Sequence, residues 1–210
     1  MRFTLTYSGP VKSSGNNAKP YNKHELRLAF HEQLSVLWKV NPILSEFSKI
    51  KSPTLESAIT TDFAAMVNEG LVGSGVPVSE KYPYSKLLTD RHEKHNVKWY
   101  PLVTVESNLV CELSVLMLRP NDNRSIIRDG DIDGRVKTIL DSLSIPKSGD
   151  VLSKFKPQNG YFYTLLSDDS LISKVTVDTD ELLQLDMGDS QAQLIIEVNT
   201  RRRNESYIHL

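Results

Sequence analysis

An α/β (α+β) fold, built on a mixed sheet of four to five strands with helices packed against it, is predicted by three observations. Phe3, Leu5 and Tyr7 alternate with polar residues, the period of a half-buried strand. Leu26, Phe30, Leu34, Leu37 and Trp38 recur at the spacing of one helical face. Strand-rich segments at 97–105, 109–118, 172–179 and 192–200 lie on either side of a second helical pattern, carried by Ile132, Val136, Ile139, Leu140 and Leu143.

Composition bounds the class. A chain of 210 residues fits a single domain over 1–210 with room for an insertion, and is long enough to bury a core without metal or disulfide staples. Apolar residues make up 39% and charged residues 24%, as in an ordinary globular protein. The single cysteine, Cys111, excludes an intramolecular disulfide framework and a Cys-rich zinc site. Lying inside a strand pattern, it reads as packing and suits a reducing cytoplasm. Met1–Tyr7 holds no long apolar run and no segment approaches membrane-spanning length, so a cytoplasmic location without a membrane is expected. The net charge of −1 does not announce nucleic-acid binding. Charge is uneven, however: Lys12, Lys19, Lys23 and Arg27 gather near the start, acids between Asp168 and Asp189, and Arg201, Arg202 and Arg203 near the end. Three consecutive arginines ordinarily read as solvated surface and gain a phosphate reading only beside a nuclease site.

In order along the chain, the first strand runs into a loop of Gly, Ser, Asn and Pro from Ser8 to Tyr21. Asn22 with Glu25 three residues on has the pattern of a capping box, and the helix it opens stops before Asn41–Pro42. Residues 42–96 are less regular and are predicted as an insertion, with short helices near Ile43–Ile50 and Ser57–Asn68 and a turn at Gly70–Gly75. Segments 97–105 and 109–118, joined around Glu106–Asn108, have the pattern of an antiparallel hairpin. A polar loop from Pro120 to Gly130 precedes the second helix. A loop after Pro146 leads to Asp168–Asp169 and two closing strands, with Asp186–Ser190 between them.

The chemistry concentrates in Asp131, Asp133, Lys137 and Asp141. Asp133, Lys137 and Asp141 advance by four and so form a row along one side of the helix, with Asp131 at its start. Taken alone, the row is Asp131 as a cap with solvated neighbours behind it. The order strand, polar loop, acid-rich helix, paired acids, strand gives it a second meaning. Acids from two elements can converge at one sheet end, and hard carboxylate oxygens suit a magnesium ion beside a phosphate. Asp129 to Gly134 begins like a calcium-binding EF-hand loop, but Leu140 stands where the bidentate glutamate belongs and no helix enters the loop. His92 and His95 could share a helical face, without a further zinc ligand in evidence. Trp38 and Trp99 read as core. Ser13–Asn17 resembles a phosphate cradle only loosely.

The spacing Asp131, Asp133, Lys137, Asp141, with Leu143 after it and Asp168–Asp169 before a strand, resembles the RusA family of Holliday-junction resolvases. The order of the flanking strands and the long helix agrees, while 42–96 has no counterpart. The resemblance implies that Asp131, Asp133 and Asp169 hold magnesium, with manganese as a substitute, and that Lys137 assists phosphodiester cleavage. Asp141 would support these ligands, as would Asp168, which takes the place of Asp169 if the downstream register is shifted by one. Branched DNA and a twofold homodimer are the implied partners, with Lys12, Lys19, Lys23 and Arg201–Arg203 available to the DNA backbone. Two features depart from the family: Gly134 stands where an asparagine is usual, and the connection from Leu143 to Asp168 is longer. The expected function is a magnesium-dependent, structure-selective endodeoxyribonuclease acting on four-way junctions. The alternative is a catalytically weak RusA-like component that binds DNA or protein in a phage or defence system.

Overall fold

The computed structural model describes residues 1–13, 19–49, 51–53, 78–83, 92–120, 132–147, 161–183 and 191–203. Strand β1 (Arg2–Pro10) is followed by helix α1 (Lys19–Val40), helix α2 (Pro42–Lys49) and the short strands β2 (Lys51–Pro53), β3 (Val78–Pro83) and β4 (Glu93–Lys94). Strands β5 (Val97–Val103) and β6 (Leu109–Pro120) then lead to helix α3 (Ile132–Leu143). Strand β7 (Tyr161–Leu166), a single 3-10 turn (Asp169–Leu171), β8 (Ile172–Leu182) and β9 (Gln191–Arg202) complete the described elements.

The architecture is the mixed α+β arrangement expected, with its strands divided between sheets. Four form a sheet in the order β1-β9-β6-β8, three form a sheet β4-β5-β7, and β2 pairs with β3. In the larger sheet β9 runs antiparallel to both β1 and β6, while β8 is parallel to β6. Alternation sends Leu5, Leu113, Val115, Met117, Leu194, Ile196 and Val198 to the inner face, where they meet Leu26, Phe30 and Leu34 of α1 in one core. Each such side chain taken from water stabilises the fold by about 1.5–3 kcal/mol. Cys111 belongs to this core, and burial pushes its thiol up to about 12. It is packing, not a nucleophile. Trp99 is fully buried and Trp38 stacks on Tyr100 at 4.3 Å, so both tryptophans are core as expected.

Four local expectations are corrected. Strands β5 and β6 do not form a hairpin: β5 pairs with β4 and, in parallel, with β7, whereas β6 pairs with β8 and β9. Between them Thr104 and Ser107 exchange backbone-to-hydroxyl bonds of 3.0 Å and Asn108 takes a φ of 50°, a turn that releases the chain into the other sheet. The near-continuous burial of β5 suits a parallel pair covered on both sides. His92 and His95 do not share a helix, because His95 and Asn96, at φ 58° and 57°, make the two-residue turn joining β4 to β5. Asn22 does not cap α1, which begins three residues earlier at Lys19. Its amide instead donates to the Pro10 carbonyl at 2.6 Å and to Glu25 at 3.3 Å, and its oxygen accepts from the Lys12 backbone at 2.9 Å. These bonds tie the end of β1 to α1.

The fourth correction concerns α3. Its buried row is Gly134, Arg135, Thr138, Ile139, Ser142 and Leu143; Ile132 is 45% exposed, and Val136 and Leu140 are half-buried. The hydroxyls explain the rotation. Thr138 donates to the Gly134 carbonyl at 3.1 Å and Ser142 to the Ile139 carbonyl at 2.6 Å, so both are satisfied within the helix and pack as small residues. Helix α1 lies against α3.

Of residues 42–96, predicted as an insertion, α2 confirms the first short helix. The predicted helix at Ser57–Asn68, the turn at Gly70–Gly75 and the Asp186–Ser190 link lie outside the described residues. Among the described residues no helix is long and apolar enough to cross a membrane.

Gly9 carries a constraint of its own. Its φ is +155° and an added Cβ would stand 2.6 Å from the Tyr7 hydroxyl and 2.8 Å from Cζ, on a ring held edge-on to Phe30. Gly9→Ala should therefore lower stability by about 1–2 kcal/mol. A urea midpoint unchanged from the parent would contradict this.

Candidate functional site

The site is built by α3 and by the turn after β7. Asp133 in the first turn of α3 and Lys137 one turn later are exposed, and Asp141 is half-buried, so the row runs from solvent toward the fold. The downstream acids are set by local chemistry. Asp168, extended at φ −151° and ψ 148°, caps the 3-10 turn, its carboxylate accepting from the Ser170 backbone at 2.9 Å. Bonds from Ser170 hold its carboxyl below the usual aspartate range. The next residue, Asp169, is half-buried and reaches the α3 groove.

Asp133, Lys137, Asp141 and Asp169 line one groove, with Val136 and Val177 among its apolar walls. The structure thus brings together three of the four residues predicted to act, from segments 36 residues apart in sequence (133 to 169). The fourth, Asp131, lies outside the described residues. Asp169 is the downstream acid that faces the groove, whereas Asp168 is engaged by its cap. Asp133 and Asp169 present carboxylate oxygens, the donor type a hard divalent cation takes. Among the described residues no three His, Cys, Asp or Glu side chains form a metal-holding group. A cation shared by Asp133 and Asp169 would need further ligands beyond these two carboxylates.

Asp141 and Asp169 also border a second cleft of about 200 Å³ on the α1 side, lined by Lys23, Arg27 and Lys147. Lys23 forms an ion pair with Asp141, and Lys147 lies 3.6 Å from Asp169. Arg27 is buried and donates from Nη2 to the Asp141 carbonyl at 2.8 Å and from Nε to the Ser144 carbonyl at 3.3 Å. It thereby satisfies carbonyls at the end of α3 that the helix leaves unpaired. Burial lowers its guanidinium to about 10 against the pull of Asp141, leaving it charged at neutral pH. Sequence reading missed Arg27 and Lys147 in these roles. Lys23 and Arg27, four apart on the flank of α1, carried a weak signal, and Lys147 carried none.

The predicted DNA-contacting residues are dispersed. Lys23 is in the second cleft and Lys19 is the first residue of α1. Arg201 pairs with Glu112 at 2.7 Å, and Arg202 and Arg203 are exposed. Thr200 and Ile172 both face Cys111 across the sheet, so the arginine run and the turn bearing Asp169 lie at the same sheet end. Lys12 follows Pro10, which pairs with Gln191 at the opposite end.

Two buried or half-buried histidines of α1 should make the fold acid-sensitive. Burial, with Arg27 nearby, lowers His24 to about 4; burial also lowers His31, whose Nδ1 accepts from the Tyr163 backbone at 2.8 Å. Both bind fewer protons folded than unfolded. Their contribution is therefore complete above pH 6.5 and is lost as pH falls toward 4. Unfolding free energy should drop by about 1–2 kcal/mol between pH 7 and pH 5. His24→Gln should flatten that drop, and a midpoint constant over this range would contradict it.

Comparison with protein-family models, with curated proteins and with solved structures finds no match to this chain.

Proposed function

We propose that the chain is a magnesium-dependent, structure-selective endodeoxyribonuclease that cleaves branched DNA such as four-way junctions, as the RusA resolvases it resembles do. The observation that carries this reading is the shared groove of Asp133, Lys137 and Asp169. Bound magnesium, or manganese in its place, would supply an activated water and offset negative charge on the phosphate. The chain's own residues do the rest. Asp133 and Asp169 orient the reacting centre from two sides. Lys137, exposed at the groove, sets its ammonium against the phosphate, where negative charge grows as the phosphorus–oxygen bond to the leaving sugar oxygen breaks. Val136 and Val177 form the apolar walls beside these charges.

A four-way junction has near-twofold symmetry and needs paired cuts, so the active species is a twofold homodimer acting in the cytoplasm. Purified protein incubated with a synthetic four-way junction and magnesium should give paired nicks, none in EDTA, and little cleavage of a linear duplex of equal length. Light scattering should give a dimer. Junction binding without cleavage in magnesium or manganese would replace this reading with that of a DNA-binding component. Neither binding nor cleavage would remove both.

A further inference from the structure

The cleft on the α1 side has cations that the proposed chemistry does not use. Lys23, Arg27 and Lys147 line it together with Asp141, Asp168 and Asp169, so three positive side chains meet three negative ones. Their engagements differ. Arg27 is fixed by backbone carbonyls and Asp168 by its cap on Ser170. Among the described residues, Lys23 pairs with the Asp141 carboxylate and Lys147 with that of Asp169. The Lys147 side chain is 78% exposed, and an ion pair so open to water is weak and readily exchanged. Both carboxylates also face the neighbouring groove, so the two spaces are contiguous.

We propose that this cleft is a subsite for the DNA backbone phosphate next to the one cleaved, contacted by Lys147 and Lys23. The inference rests on the nuclease reading of the adjoining groove. While Asp169 carries its full charge, it competes with the phosphate for Lys147. Once that charge is offset, the cleft has a surplus cation and the phosphate takes the carboxylate's place. A volume of about 200 Å³ suits a phosphate group with part of its sugar and leaves the base outside, so the subsite reads backbone position and not sequence. Arg27 supports the cleft without touching the phosphate, because it anchors the α3 end that carries Asp141.

The test removes the competing charge with no metal present. Binding of a fluorescein-labelled four-way junction is measured by anisotropy in EDTA across a salt series. Asp169→Asn should tighten binding about two- to fivefold and steepen the dependence of log Kd on log salt by about one phosphate contact. Adding Lys147→Ala should return affinity and slope to the parental values, whereas adding Lys147→Arg should retain the gain. Melting temperatures identify any variant that fails to fold, and Lys147, being exposed, is the position least exposed to that failure. No change with Asp169→Asn would overturn the subsite. So would a gain that survives Lys147→Ala, since that marks a diffuse field effect. Magnesium-dependent cleavage by the parent protein is scored separately. Cleavage without the lysine-dependent gain leaves the nuclease reading standing and removes the subsite. The gain without cleavage keeps the subsite on a DNA-binding protein.

Discussion

Lys137→Ala is expected to reduce junction cleavage by about 10²–10³ in rate, the usual loss when one preorganised electrostatic stabiliser is removed from a reacting centre. Lys137 is exposed on α3, off the buried row of Arg135, Thr138, Ile139 and Ser142, so its removal leaves the packing untouched. Alanine is also the best helix former. Melting temperature should therefore stay close to the parent while the rate collapses. If magnesium binding, followed by calorimetry, is retained at the same time, the loss belongs to the phosphate and not to the cation. Undiminished cleavage would remove Lys137 from the mechanism. A matching fall in stability and activity would make it structural.

Arg27→Ala is expected to have the largest effect on stability, a loss of about 2–4 kcal/mol. The side chain is buried and donates to the carbonyls of Asp141 and Ser144 at the end of α3, and each buried acceptor left without a donor costs about 1–3 kcal/mol. For a chain of this size the melting temperature should fall by about 5–15 °C. Arg27→Met keeps much of the packed stem and should lose less, separating the apolar part of the side chain from its donors. The end of α3 carries Asp141, so cleavage should fall as well, even where the variant remains folded. A melting temperature unchanged in Arg27→Ala would show that water satisfies these carbonyls equally well.

How far the sequence could be read depended on whether the information was local. Helix α1 was legible because Leu26, Phe30, Leu34 and Trp38 lie on one face, and all four are buried. The last strand was legible because β9 alternates strictly, from Ala192 through Leu194, Ile196 and Val198. The face of α3 was not, since Thr138 and Ser142 count as polar in a pattern yet pack as small residues once their hydroxyls bond within the helix. The pairing of β5 and β6 was not legible either. Adjacent strands joined by a short turn suggest a hairpin, but β5 is completed by β7, some sixty positions downstream.

The candidate site divides in the same way. The acids and lysine of α3 were marked by their spacing, and Asp168–Asp169 by their place before a strand. The preference for Asp169 over Asp168 rested on the resemblance; what the fold adds is backbone geometry, which turns Asp168 to Ser170 and leaves Asp169 lining the groove. Only the fold could bring Lys23 of α1 to Asp141, or set Lys147 beside Asp169 and Arg27 under the end of α3. Sequence by itself determined which residue types and spacings were available for metal and phosphate chemistry, because helical and strand periods are properties of the local chain. The tertiary structure decided which of those charges meet, because ion pairs and carbonyl caps form between segments whose separation along the chain says nothing of their distance in space.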